Sequence, residues 1–139
     1  EICLMMFDGQ IGAVGFGLDL TKRETQAKLK AAGLPWERSK AFTGSALFSD
    51  FVPAPKSLDQ LGIELRVDGS LRQKGDVSLM LYPPPTILQE LAQFCQLEDY
   101  DIVMTGTPAG VGMVQAGECF QGRILDGEQE LVSAEWTAV

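Results

Sequence analysis

The stretch Gly17-Leu-Asp19-Leu-Thr-Lys-Arg23-Glu24-Thr-Gln26 puts an aspartate at the end of an apolar run, just before a helix start. An aspartate so placed can ligate Mg2+ or Mn2+ through oxygen, and Arg23 and Gln26, one helical step apart, can reach the same ligand. The same residue also reads as an ordinary helper of the helix N-terminus. Lys40 follows among Trp36, Phe42 and Phe48. Buried between aromatics, its ammonium is an electrophile for a developing enolate; exposed, it is a surface charge. Glu1 offers a second carboxylate that could point from its strand toward Asp19, the alternative being a solvated first residue. The last candidate is Met104-Thr-Gly-Thr-Pro-Ala-Gly-Val-Gly-Met113, whose glycines bare backbone N–H groups and whose threonines add hydroxyls. An oxoanion suits such a loop, and so does a plain turn. A nucleotide-phosphate cradle is disfavoured, because the lysine of that motif is missing and Pro108 removes a donor.

The composition narrows the chemistry. There is no histidine among the 139 residues, which removes imidazole metal ligands and the commonest general base from this chain. A formal net charge of -8 sets the chain against nucleic acid and anionic membrane surfaces. The cysteines at 3, 95 and 119 are an odd number without a close pair and sit in apolar contexts. They read as small core residues in a reducing compartment. No apolar run approaches the ~20 residues of a membrane span. The expected setting is the cytoplasm, or the mitochondrial matrix for a eukaryotic chain.

The elements that must hold these groups are mostly strands. Glu1 to Phe7 reads as a buried strand, Asp8-Gly9-Gln10 as a turn, and Ile11 to Asp19 as a second strand whose glycines suit close packing. Thr21-Lys-Arg-Glu24 has the form of a capping box ahead of a helix over 25–32, stopped by Gly33 and Pro35. From Trp36 to Lys56 the pattern is irregular but apolar enough to pack. Ile63 to Val67 alternates strictly, Asp68-Gly69 signals a hairpin, and Leu71-Arg-Gln begins the return strand. A second capping box at Thr86 to Gln89 opens a helix over 87–96 with Ile87, Leu88, Leu91, Phe94 and Cys95 on one stripe. A strand over 101–105 precedes the glycine-rich loop, and a last hairpin turns at Asp126-Gly127. The sum is one strand-dominated α+β domain over 1–139 with two amphipathic helices.

Four colinear blocks resemble the fumarylacetoacetate hydrolase family, particularly its small acylpyruvate hydrolase and oxaloacetate-processing members. They are Gly17 to Gln26, Gly33-Leu-Pro-Trp-Glu-Arg-Ser-Lys-Ala-Phe42, Val67-Asp-Gly-Ser-Leu-Arg-Gln73 and Asp101 to Gly112. The resemblance implies a mixed-sheet roll or barrel-like fold of that family's C-terminal type. It implies a Mg2+ or Mn2+ ion held by Asp19 and Glu1, with a further glutamate two positions before Glu1. Lys40 matches the family's active-site lysine and Gln26 its substrate-contacting glutamine. Arg23 matches the polar residue of its Ala-Arg-Asp-x-Gln pattern, with Glu24 in place of the aspartate. Thr107, beside Gly106, matches the loop threonine that contacts the substrate carboxylate.

The chemistry so implied is metal-dependent cleavage of a C–C bond beside a carbonyl in a β-diketo or acylpyruvate acid, by a homodimer. Oxaloacetate decarboxylation or tautomerisation is the alternative, as is an idle domain that keeps the fold. The family's water-activating His-Glu pair belongs to an N-terminal segment absent from this chain, so the domain is expected to be N-terminally incomplete.

Overall fold

The structure, a computed structural model, describes residues 1–139. In chain order its strands are β1 (Ile2–Phe7), β2 (Gln10–Asp19), β3 (Ala46–Phe48), β4 (Val52–Pro53), β5 (Leu61–Val67), β6 (Ser70–Asp76), β7 (Ile102–Met104), β8 (Cys119–Asp126) and β9 (Gln129–Thr137). Three helices intervene: α1 (Arg23–Ala31), α2 (Glu37–Lys40) and α3 (Pro84–Leu91). One sheet runs β3-β2-β1-β7, with β4 also on β2; the other runs β6-β5-β8-β9. The strand-dominated α+β architecture is as expected. Its pairings, however, are all antiparallel rather than mixed. For three of the seven pairings the reason is local, since β1–β2, β5–β6 and β8–β9 are joined by two-residue turns, which reverse the chain directly. Asp8-Gly9 (φ 48° and 70°) and Asp68-Gly69 (φ 49° and 75°) both take the doubly left-handed form, and Gly127 (φ 59°) opens the third.

Alternation along the strands sorts residues between the layers. Leu61, Ile63, Leu65 and Val67 of β5 face the core with Ile2 and Leu4 of β1, Val14 and Phe16 of β2, and Phe120 and Ile124 of β8. Phe16 is wholly buried and its ring stacks at a tilt on Trp136, 6.1 Å between centroids. The ring also fills the space beside Gly122, where a Cβ would stand 2.2 Å from Phe16 Cε1. One contact between the two sheets is therefore an aromatic ring seated on a glycine.

On its other face β5 carries Glu64, 6% exposed, which accepts from Arg123 at 2.6 Å and pairs with Lys74 at 3.1 Å. The Arg123 hydrogen bond holds the Glu64 carboxyl below its ordinary value, against the opposing effect of burial. A depressed carboxylate adds stability that is complete above its ordinary value and is lost as pH falls through the folded value. Glu64→Gln is therefore expected to lower the unfolding free energy by about 1–2 kcal/mol at pH 7. The gap between variant and wild type should close on acidification, as read from urea transitions at several pH values; a gap that widens in acid refutes this.

The helices depart from the sequence reading in informative ways. No side chain caps α1, and Thr21 turns its hydroxyl elsewhere, so the first capping box does not form. Nor does the second: α3 starts at Pro84 with Pro83 at its N-cap, because prolines suit a first helical turn, whose N–H groups lack intrahelical partners. Starting early, α3 ends early at Leu91. Ile87, Leu88 and Leu91 pack on the core as expected, but Phe94 lies past the helix and is 79% exposed. The irregular stretch contains α2, β3 and β4, so the helices number three rather than two. Cys3 is fully buried, as its apolar context suggested, and all three cysteines are free.

Candidate active site

The centre of the site is the beginning of β1. Glu1 lies opposite Gly17 of β2, whose N–H donates to the Glu1 carbonyl at 3.0 Å. Asp19 is two residues along on β2 and so faces the same side, diagonal to Glu1. Across β1, strand β7 pairs Met104 with Cys3 and leads directly into the glycine-rich loop. Thr105 anchors that loop by donating to the Ile2 carbonyl through its N–H at 3.1 Å and its hydroxyl at 2.8 Å. The next two residues grip the buried carboxylate: Gly106 N–H donates to Glu1 Oε2 at 2.8 Å and Thr107 Oγ1 to Glu1 Oε1 at 2.6 Å. Three adjacent strands thus bring a glutamate, an aspartate and an anion-gripping loop to one rim.

Lys40, the last residue of α2, reaches this rim from the side. Its ammonium donates to Asp19 Oδ2 and, at 3.0 Å, to Thr21 Oγ1. The aromatic setting anticipated for Lys40 belongs to other lysines, for Lys22 lies over Phe42 at 4.4 Å and Lys30 over Trp36 at 4.7 Å. Those two cations occupy the ring faces and leave Lys40 to the aspartate. A cavity of about 450 Å³ opens on the rim, lined by Glu1, Asp19, Arg23 and Thr107 together with Arg72 and Gln73. Lys40 and Gln26 are not among its lining residues: Lys40 meets the cavity through Asp19 and Thr21, and the Gln26 Oε1 accepts from Arg23 Nη1 at 3.4 Å. Gly106 lines a neighbouring cavity and contributes its N–H to Glu1.

Two donors here are carboxylates, and the nearest thiol is no rival: burial pushes Cys3 up to about 12. Each Glu1 oxygen accepts one hydrogen bond and keeps a second lone pair. An oxygen-only pair of this kind fits a hard divalent cation in donor type. No three His, Cys, Asp or Glu residues converge, so this chain supplies two donors rather than a closed cage.

Other residues emerge only in the structure. Thr21 props Lys40, and its place in an apparent capping box hid that role. Gln73, buried on β6, donates to the Pro108 carbonyl at 3.1 Å and pins the loop. Gly110 (φ 105°) lets the loop lie against β6, since a Cβ there would stand 2.1 Å from the Arg72 carbonyl oxygen. The block ending in Leu71-Arg-Gln73 was the available signal for both strand residues.

Residues 10–135 match the family model of the fumarylacetoacetate hydrolase C-terminal region. The chain belongs to the fumarylacetoacetate hydrolase family. Within it, the chain is 41% identical over 110 residues to the mitochondrial oxaloacetate tautomerase FAHD1 of Homo sapiens, covering 78% of this chain and 50% of the relative. It is 39% identical over 111 residues to the oxaloacetate tautomerase YcgM of Escherichia coli, covering 78% and 51%. The chain spans about half the length of the curated relatives it matches. Among solved structures, the fumarylpyruvate hydrolase of Pseudomonas aeruginosa in complex with Mn2+ and pyruvate superposes with a TM-score of 0.87 at 32% identity. That match covers 100% of this chain and 64% of the other. In this member of the fumarylacetoacetate hydrolase family no helix is long and apolar enough to cross a membrane.

Proposed function

We propose that this chain carries the metal-binding and enolate-stabilising part of a site that interconverts the keto and enol forms of oxaloacetate or a similar short α-keto acid. The observation that carries the reading is the meeting, on one rim, of the Lys40–Asp19 contact with the Glu1–Thr107 contact. The relatives named as oxaloacetate tautomerases support this substrate and put tautomerisation ahead of the C–C hydrolysis expected first. Hydrolysis of an acylpyruvate-type acid remains the second reading, favoured by the structural likeness to a fumarylpyruvate hydrolase.

Glu1 and Asp19 would hold Mg2+ or Mn2+, which supplies Lewis acidity toward the keto oxygen. The residues do the rest. Keto–enol exchange moves one proton between the carbon beside the carbonyl and the carbonyl oxygen, and negative charge gathers on that oxygen on the way. Lys40, held by Asp19 and Thr21, keeps a positive charge fixed beside that position. The Gly106 N–H and Thr107 hydroxyl form a donor pair shaped to a carboxylate, since Glu1 already fits it. A substrate carboxylate would compete with Glu1 for that pair. Arg23 lines the cavity and, steadied by Gln26, adds positive charge for an anionic substrate. The exposed Leu79, Leu81 and Tyr82 support the expected homodimer, which would cover them, and 1–139 would act within it as one domain.

The test is to follow the enol absorbance of oxaloacetate with the full-length protein, with and without Mn2+. Metal-dependent acceleration of the enol–keto exchange is expected. Turnover of acylpyruvates without any effect on oxaloacetate would favour the second reading, and inertness toward both would refute each.

A further inference from the structure

The strand that supports the loop also carries a cation that the site has not yet used. In the β5–β6 pairing Leu65 faces Gln73 and Arg66 faces Leu71, which leaves Arg72 as the extra, unopposed residue of a β-bulge. A bulge breaks the alternation of a strand and re-aims one side chain. Gln73 consequently turns inward to the loop while Arg72, its neighbour, lines the same cavity as Glu1, Asp19 and Thr107. The backbone of Arg72 is itself pressed against the loop at Gly110.

The positive groups around the rim differ in their commitments. Lys40 is engaged by Asp19 and Thr21, and Arg23 donates to Gln26. Arg72 belongs to none of the ion pairs, which join Lys40, Lys74 and Arg123 to their acids. Its side chain makes no hydrogen bond either, although Glu118, with one oxygen on the Gln115 N–H, lines the same cavity. A free guanidinium is a planar fork that matches a carboxylate in two parallel hydrogen bonds.

Resting on the proposed keto–enol chemistry, we infer that Arg72 binds the distal carboxylate of the substrate and so selects α-keto diacids over α-keto monoacids. One end of the diacid, its keto acid head, lies at the Glu1, Asp19 and Thr107 rim. The other end takes the fork of Arg72. The bulge is the device that makes this possible, because in an unbroken strand Arg72 and Gln73 would alternate without the extra residue and the loop pin and the anion anchor could not be set independently.

The experiment compares full-length wild type, Arg72→Gln and Arg72→Lys on enol oxaloacetate and on enol phenylpyruvate, which has no second carboxylate. Loss of a charged hydrogen-bonding pair is expected to lower the diacid-to-monoacid ratio of kcat/KM by about 10- to 100-fold in Arg72→Gln. Most of the change should lie in KM for oxaloacetate. Arg72→Lys, which keeps charge without the fork, should fall between. A ratio that stays within twofold of wild type, or equal losses on both substrates, overturns the inference while leaving the proposed function intact. Wild type inert toward oxaloacetate would instead defeat the proposed function. Calorimetric titration with succinate and with butyrate then decides Arg72 alone: selective weakening of succinate in Arg72→Gln upholds the anchor, and equal affinities for the variant and wild type refute it.

Discussion

Lys40→Met is expected to lower oxaloacetate turnover by about 10²–10³-fold, the range for removing one preorganised electrostatic group from an active site. Two features of the structure make the result diagnostic. Lys40 is half-buried and bound to Asp19 and Thr21, so its charge is held in place before substrate arrives. It also shares Asp19 with any cation that binds there, and like charges near one carboxylate oppose each other. Removing the ammonium should therefore leave Mn2+ affinity unchanged or tighter while turnover collapses. Calorimetric Mn2+ titration beside the enol assay reads both quantities. If affinity and turnover fall together, Lys40 is only a structural prop for Asp19; if turnover persists, the enolate role is wrong.

The second large effect concerns the sheet-to-sheet contact. Phe16→Ala should destabilise the protein by about 3–5 kcal/mol, the range for deleting a buried aromatic. That is a large share of the ~5–15 kcal/mol that holds a typical domain together. Gly122→Ala acts from the opposite side. Its methyl would fall 2.2, 2.4 and 2.6 Å from three atoms of a ring that is 0% exposed, so either the ring or the strand has to shift. Overpacking of this kind costs about 1–3 kcal/mol. The double variant should lose less than the sum of the two, because the new methyl occupies part of the space that the ring vacates. Urea unfolding of all four proteins measures the coupling. Strict additivity would mean that ring and glycine do not share one space in solution.

How far the sequence foretold this molecule depends on the range of the interactions involved. The Asp-Gly turns were legible because a two-residue hairpin demands left-handed backbone, and Asp8, Gly9, Asp68 and Gly69 adopt it. The core-facing set Ile63, Leu65 and Val67 on β5 was legible too, because the pleat sends successive side chains to opposite faces. Capping boxes failed where a longer-range partner was available. Thr21 supports Lys40, 19 residues away, in preference to its own helix. The bulge at Arg72 left no local signature, since it depends on what lies on β5 and on the loop across from it. Asp19, Lys40 and Glu1 could be named as candidates from residue type and position alone, each with an ordinary structural reading beside it; the family resemblance singled out Thr107 and gave all four their roles. The contacts that tie them together, Lys40 with Asp19 and Glu1 with Thr107, join residues 21 and 106 positions apart, and no spacing rule reports such contacts.

That separation has a kinetic consequence. The Glu1–Thr107 grip closes across 106 positions, and the β1–β7 pairing that sets it up joins Cys3 to Met104. Contacts of such span are entropically costly to close and tend to form slowly. A folding intermediate built from the local hairpins would have most of its secondary structure and no grip on Glu1. Recovery of function during refolding should thus lag behind recovery of strand content, which makes turnover a sensitive clock for the last step of assembly.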